Sequence, residues 1–162
     1  MTMTCTADLC DREGQGARVC VAPWRAFGGR PGAMGQVATV RVRADAGLAL
    51  QCLREPGHGR ILAIDAGADP QAAVLGDRMA RLGAANGWAG ILVNGAVRDV
   101  AVLATLDIAI VALGSVPARG SLDGTGERDV PVTIQGVRVH PGDLLAMDGD
   151  GVVVLPAQPG PS

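Results

Sequence analysis

The chain has 162 residues, 48% of them hydrophobic, and a formal net charge of −2 from 14 basic and 16 acidic residues. This is enough apolar material for the core of one domain, with residues 7 to 155 as its expected body, and too much for intrinsic disorder. Interleaved charges, no transmembrane-length apolar run and no signal-peptide pattern in MTMTCTADLCDREGQG point to a cytoplasmic protein without nucleic-acid or membrane partners.

A short N-terminal helix is expected first, followed by RAFGGRPGAMGQVATVRV, a glycine-rich loop feeding a half-buried strand at GQVATVRVR. Residues 44–54 (ADAGLALQCLR) have helical apolar spacing, and EPGHG stops that helix. RILAIDAG reads as a buried strand. The next stretch, AAVLGDRMARLGAANG, is either one helix from Pro70 or a short strand AAVL turning at Gly76 into a helix from Asp77 to Asn86. The second reading is preferred, because a glycine is costly inside a helix and useful at its start. Gly87 would then be its left-handed C-terminal cap. GILVNGAVRD follows as a strand with a turn, then a helix near VAVLATLD and a strand at IAIVALG. From Ser121 onward, short strands are separated by QG, PGD and DGDG turns, ending in a frayed AQPGPS tail. Strand–helix alternation followed by a strand-rich half implies an α/β fold with more than one packed sheet.

Absences narrow the chemistry. All 14 basic residues are arginine, so Schiff-base catalysis, pyridoxal phosphate anchoring and a P-loop lysine are excluded. The four cysteines (Cys5, Cys10, Cys20 and Cys52) have no zinc-ligand spacing; Cys20 and Cys52 read as reduced core residues. His58 and His140 lie beside glycine or proline in expected turns. There is no GxSxG elbow, and the glycine-rich loops do not have the GxGxxG spacing of a dinucleotide site. Asp148 to Gly151 (DGDG) lacks the remaining acids of a calcium loop and reads as a β-turn.

The segment LGDRMARLGAANGWAGILVNGAVRD carries a Gly-Asp pair at one end and an Arg-Asp pair at the other. One explanation is that Asp77 caps a helix and Arg98–Asp99 opens another as a solvated pair. The other is a site. Residues Gly76, Asp77, Arg78 and Met79 at a helix N-terminus would offer free amides to a carboxylate, and Arg98 could grip the same anion in a fork. Asp99 could be a hard oxygen ligand for Mg²⁺.

Together with FGGRPGAMGQVATVRV, GRILAIDAG, LDIAIVALGSVP and GERDVPVTIQGVRVHPGDLLAMDGDGVVVLP, that segment resembles the RraA-like family over roughly residues 7 to 155. The family holds the regulators of ribonuclease E activity and the class II 4-hydroxy-4-methyl-2-oxoglutarate aldolases. The resemblance implies a layered α/β/β sandwich of the swivelling phosphohistidine-domain type, assembled as a homotrimer or a dimer of trimers. Family aldolases carry an Asp, twenty residues and an Arg-Asp pair, matched here by Asp77, Arg98 and Asp99; regulators without aldolase activity depart from it at these positions. An acid three residues after the Arg-Asp pair, frequent in those aldolases, is replaced here by Val102. The implied activity is cleavage of 4-hydroxy-4-methyl-2-oxoglutarate and decarboxylation of oxaloacetate through a common pyruvate enolate. It would use Mg²⁺ or Mn²⁺ on Asp99, substrate contacts from Arg98 and the 76–79 amides, and Asp77 ordering a water or orienting Arg98. The alternative implied by the resemblance is a non-catalytic protein that binds and inhibits an RNase E-type ribonuclease. A methyltransferase reading finds no glycine-rich cofactor motif.

Overall fold

The computed structural model describes residues 5–157. Helix α1 (Thr6–Glu13) and two short strands, β1 (Arg18–Val19) and β2 (Arg25–Ala26), precede the long strand β3 (Ala33–Arg41). Helix α2 (Gly47–Leu53), strand β4 (Ile61–Asp65), helix α3 (Asp77–Ala85), strand β5 (Gly90–Val97), the one-turn helix α4 (Val100–Leu103) and strand β6 (Ala109–Ser115) follow. The strand-rich remainder comprises β7 (Glu127–Arg128), β8 (Val132–Ile134), β9 (Val137–Val139), β10 (Leu144–Asp148) and β11 (Gly151–Leu155). The expected tail AQPGPS lies almost wholly outside the described residues. Among the described residues no helix is long and apolar enough to cross a membrane.

Strand β3 joins two kinds of sheet. Its first residues pair antiparallel with β10, which forms a hairpin with β11, while Val37–Arg41 pair in parallel with β4. The parallel ladder continues through β5 to β6, and β2 closes its edge antiparallel. The parallel strands are apolar at nearly every position because both of their faces are covered. Leu62, Ile64, Ile91, Val93 and Ile110 face a core shared with α2 and α3. Their neighbours Ile61, Ala63, Leu92 and Val111 face a second core, filled from the other side by Val132, Ile134, Leu145 and Val152. Helices, parallel sheet and a β layer therefore stack as α/β/β, the class the sequence implies. Aromatic residues contribute little: Phe27 and Trp88 are buried in the helical-side core.

Two local expectations need correction. AAVL is not a strand: only Ala73 makes bridges, to Ala96 and to Arg119. The segment is a connector wedged between two neighbours, too short to carry a ladder of its own. Nor does the Asn-Gly pair in GILVNGAVRD make a turn, because β5 runs through it with a register shift between Val93 and Ala96. Asn94 is buried and spends its side chain on Asp65 and Gln135, and a Cβ on Gly95 would come within 2.9 Å of the Ala66 methyl. Burial on both faces thus converts a sequence turn signal into a bulge that re-aims the end of the strand. Other signals are met directly. Helix α3 starts at Asp77, and Gly87 follows it with φ +82°. The QG pair closes the β8–β9 hairpin with both residues at positive φ. Asp148 of the DGDG turn accepts hydrogen bonds from Thr6 and from the Asp150 amide. All four cysteines are free, and burial pushes the Cys20 thiol up to about 11.

Candidate active site

The bulge in β5 decides where the chain emerges from the sheet. Past Val97, Arg98 donates its amide to the Leu75 carbonyl (3.0 Å), and Val74 donates to Ala96 (3.0 Å), so Ala73–Leu75 lies along the end of β5. On the connector's other side, Ala73 donates to Ala118 (2.8 Å) and accepts from Gly120 (2.9 Å). The connector therefore forms the floor of a cleft of about 70 Å³. Arg98 and Asp99 make one wall, the first turn of α3 closes one end, and Arg119 and Leu122 with Ala46 and Leu50 of the α2 region make the opposite wall. All six residues named from the sequence (Gly76, Asp77, Arg78, Met79, Arg98 and Asp99) line this one cleft.

Asp99 is the organising residue. It sits in the left-handed region at φ +62°, ψ +39°, a conformation that costs an L-residue of order 1 kcal/mol and marks a position held for a reason. Its carbonyl starts α4 by accepting from Val102 and Leu103. Its carboxylate turns the other way, and Oδ2 accepts the amide of Asp77 at 3.0 Å. The N-terminus of α3 is thus capped by a carboxylate 22 residues further along the chain, and the positive end of the helix dipole holds that charge in place. Gly76 is the helix N-cap because of this approach: a Cβ there would lie 2.9 Å from Asp99 Oδ2 and 3.4 Å from Arg98 Nε. The Arg98 Nε–Asp99 Oδ2 distance is 3.9 Å, and both side chains are 35% exposed. Arg98 is consequently not consumed by a forked pair with its neighbour.

The remaining residues are less uniform than their spacing suggests. Of the amides offered by the α3 N-terminus, that of Asp77 is already taken by Asp99. Those of Arg78 and Met79 lie in the first turn, where no intrahelical carbonyl reaches back to them. Asp77 does not provide the N-cap, and its carboxylate leans along the helix toward Arg81 Nε at 3.9 Å. Among the described residues it makes no hydrogen bond to Arg98. Val102 follows on the one-turn helix α4.

For a divalent cation, the available donors are hard carboxylate oxygens bordering open solvent. Asp99 Oδ1 has no hydrogen bond among the described residues, and no group of three His, Cys, Asp or Glu side chains is gathered among them. That set suits Mg²⁺ or Mn²⁺, ions that keep several waters and take one or two carboxylates, and does not suit a fully protein-ligated zinc.

Arg119 was not legible as a site residue. Its only local mark is the following glycine: a Cβ on Gly120 would lie 2.5 Å from the Ala44 carbonyl, so the strap formed by residues 118–125 can cross there only as glycine. The strap is then tied down by Asp45, which is 1% exposed and accepts from the amides of Gly47, Gly124 and Thr125 and from the Thr125 hydroxyl. Burial pushes the Asp45 carboxyl up, but these hydrogen bonds together outweigh it and hold the group well below the usual carboxylate range.

This layered fold, with an acid–arginine–acid cleft at the end of a parallel strand, has relatives. The family model described as RraA-like, Aldolase/RraA, matches residues 6–154, and the chain belongs to that family. A protein of Alkalilimnicola ehrlichii named "Putative 4-hydroxy-4-methyl-2-oxoglutarate aldolase" is 46% identical over 149 residues, 92% of each chain. Among solved structures, the RNA-processing inhibitor RraA from Thermus thermophilis superposes with a TM-score of 0.91 at 38% identity, covering 98% of this chain and 96% of that one. A Geobacillus kaustophilus structure described as an S-adenosylmethionine:2-dimethylmenaquinone methyltransferase gives 0.92 at 36% identity, with 96% of each chain covered.

Proposed function

We propose that the protein is a divalent-metal-dependent lyase that cleaves 4-hydroxy-4-methyl-2-oxoglutarate to pyruvate and also decarboxylates oxaloacetate. The observation that carries this reading is the convergence of Arg98, the Asp99 carboxylate and the first turn of α3 in one cleft. The amides of Arg78 and Met79 and the Arg98 guanidinium receive the carboxylate of the 2-oxo acid. Asp99, fixed by the Asp77 amide through one oxygen, keeps the other for Mg²⁺ or Mn²⁺. When bound, that ion supplies Lewis-acid polarisation of the 2-oxo group. In the aldol cleavage the C3–C4 bond breaks, the 4-hydroxyl loses its proton as the new ketone forms, and C3 is left as the enolate of pyruvate. Arg98 offsets the charge that develops there, and a proton returned to C3 completes the second pyruvate. Oxaloacetate loses carbon dioxide to give the same enolate, so one arrangement of side chains serves both reactions.

The name of the Alkalilimnicola ehrlichii relative supports the aldolase half of this reading. The RraA neighbour supports a second one, inhibition of an RNase E-type ribonuclease. That role would need neither Asp99 in its left-handed conformation nor a glycine at position 76 to admit it, so the retained geometry favours the lyase. A methyltransferase reading finds no glycine-rich cofactor motif in the sequence to support it. The family resemblance makes a homotrimer or a dimer of trimers in the cytoplasm the proposed setting.

The decisive experiment is pyruvate release from both substrates with metal-free protein. Turnover is expected to vanish in EDTA and return with Mg²⁺ or Mn²⁺, and Asp99→Asn is expected to keep the fold while losing that response. Undiminished turnover without metal would overturn the mechanism.

A further inference from the structure

The cleft contains a second arginine that the reaction above does not use. Arg119 stands across the connector from Arg98, and among the described residues it has no hydrogen bond or ion pair. It is also held from both sides. Ala118 and Gly120 each hydrogen-bond to Ala73, at 2.8 and 2.9 Å, and the strap beyond them is anchored through Gly124 and Thr125 to buried Asp45. Two like charges on opposite walls of one small cleft repel each other until an anion lies between them. Asp99, 3.9 Å from Arg98 Nε, offsets that arginine only in part, Asp77 leans toward Arg81, and among the described residues neither carboxylate pairs with Arg119. The surface around Arg119 is apolar, with Leu122 beside it on the strap and Ala46 and Leu50 behind.

We infer that Arg119 binds the distal carboxylate of a dicarboxylic 2-oxo acid and sets the preference for such substrates over monocarboxylic ones. Leu122 and Leu50 pack against the carbon that carries it. This assignment rests on the lyase reading, in which Arg98 holds the carboxylate next to the 2-oxo group. Arg119 then clamps the far end, and a substrate with anions at both ends is the one that relieves both cations. In the aldol cleavage the distal carboxylate is unchanged by the reaction and the contact is made equally before and during bond breaking, so its loss acts on KM rather than on kcat.

The test compares wild type, Arg119→Gln and Arg119→Lys on 4-hydroxy-4-methyl-2-oxoglutarate and on 4-hydroxy-4-methyl-2-oxopentanoate. The second substrate carries a methyl in place of the distal carboxylate and yields pyruvate and acetone. Arg119→Gln is expected to raise KM for the dicarboxylate by about tenfold or more, as loss of a charge-assisted hydrogen bond implies. KM for the monocarboxylate and both kcat values should stay within about twofold. Arg119→Lys should recover part of the loss. Equal effects on the two substrates, or none on either, would overturn the assignment while leaving the lyase standing. Binding of 2-oxoglutarate and 2-oxopentanoate, which lack the 4-hydroxyl and cannot be cleaved, is measured alongside by calorimetry. If wild type released no pyruvate at all, the lyase reading would fall, and calorimetry would still decide Arg119. Wild-type preference for 2-oxoglutarate that disappears in Arg119→Gln supports it, and unchanged preference overturns it.

Discussion

Asp99 lines the cleft and Asp45 lies buried next to Ala46 of its opposite wall, and the two aspartates could hardly be treated more differently by the fold. Asp45 is buried, accepts four hydrogen bonds and ties the strap at Gly124–Thr125 to the start of α2. Asp99 is a third exposed, strained at positive φ, and uses one oxygen on a helix amide while the other stays open. A carboxylate whose lone pairs are spent on the protein stabilises it; a carboxylate held firmly but left under-used is positioned for something else. The same contrast separates arginines. Arg128 forks onto Glu55 and Arg30 onto Asp107, whereas Arg98 and Arg119 reach the cleft with their donors largely uncommitted.

The sharpest way to break this contrast is at Arg98. If Arg98 merely balances Asp99, Arg98→Lys keeps a cation and should keep function. If it holds a planar carboxylate and the developing enolate, lysine cannot reproduce the fork. A fall in kcat on the order of a hundredfold, roughly 3 kcal/mol of transition-state contact, is expected with an almost unchanged melting temperature. Near-normal kcat would return Arg98 to a structural role.

At Asp45 the expected pattern is the reverse. Asp45→Asn places an amide NH₂ against N–H donors and should cost roughly 2 kcal/mol of stability, or about 4–8 °C in melting temperature for a chain of this size. The depressed carboxyl gives this residue a sign in acid as well. Its contribution is complete above the ordinary carboxylate value of 3.8 and is lost as pH falls from there toward the lower folded value. Wild type should therefore lose stability below about pH 4 more steeply than Asp45→Asn. Parallel acid unfolding curves for the two proteins would show that the strap does not depend on this charge.

The smallest effect is expected at Gly76, where the two regions meet α3. The neighbour of an added Cβ is the end of a flexible side chain, Asp99 Oδ2 at 2.9 Å, so Gly76→Ala should change stability by no more than about 0.5 kcal/mol. The displaced carboxylate should nevertheless lower turnover by about tenfold, since small misplacements of a positioned group are amplified in the rate. Unchanged turnover would mean that the close approach of Asp99 to the α3 N-terminus has no part in function.

Much of this molecule is written in local pattern. Continuous Val, Ile, Leu and Ala runs define β4, β5 and β6 because strands buried on both faces need apolar side chains at every position. Gly76 and Gly87 bracket α3 because one end admits a close approach and the other requires a left-handed residue. The twenty residues between Asp77 and Arg98 span the helix and the strand that return the chain to the same end of the sheet, so a one-dimensional spacing brings Asp77, Arg98 and Asp99 to one cleft. Tertiary structure alone decided the rest. It turned Asn94–Gly95 from a turn into a bulge, made AAVL a connector, and gave the α3 cap to Asp99 rather than to Asp77. It also brought Arg119 to Arg98 across Ala73. Each of these depends on a contact between segments distant in the chain, where burial or a hydrogen bond outweighs local preference, and no residue carries the identity of so distant a partner in its own sequence neighbourhood.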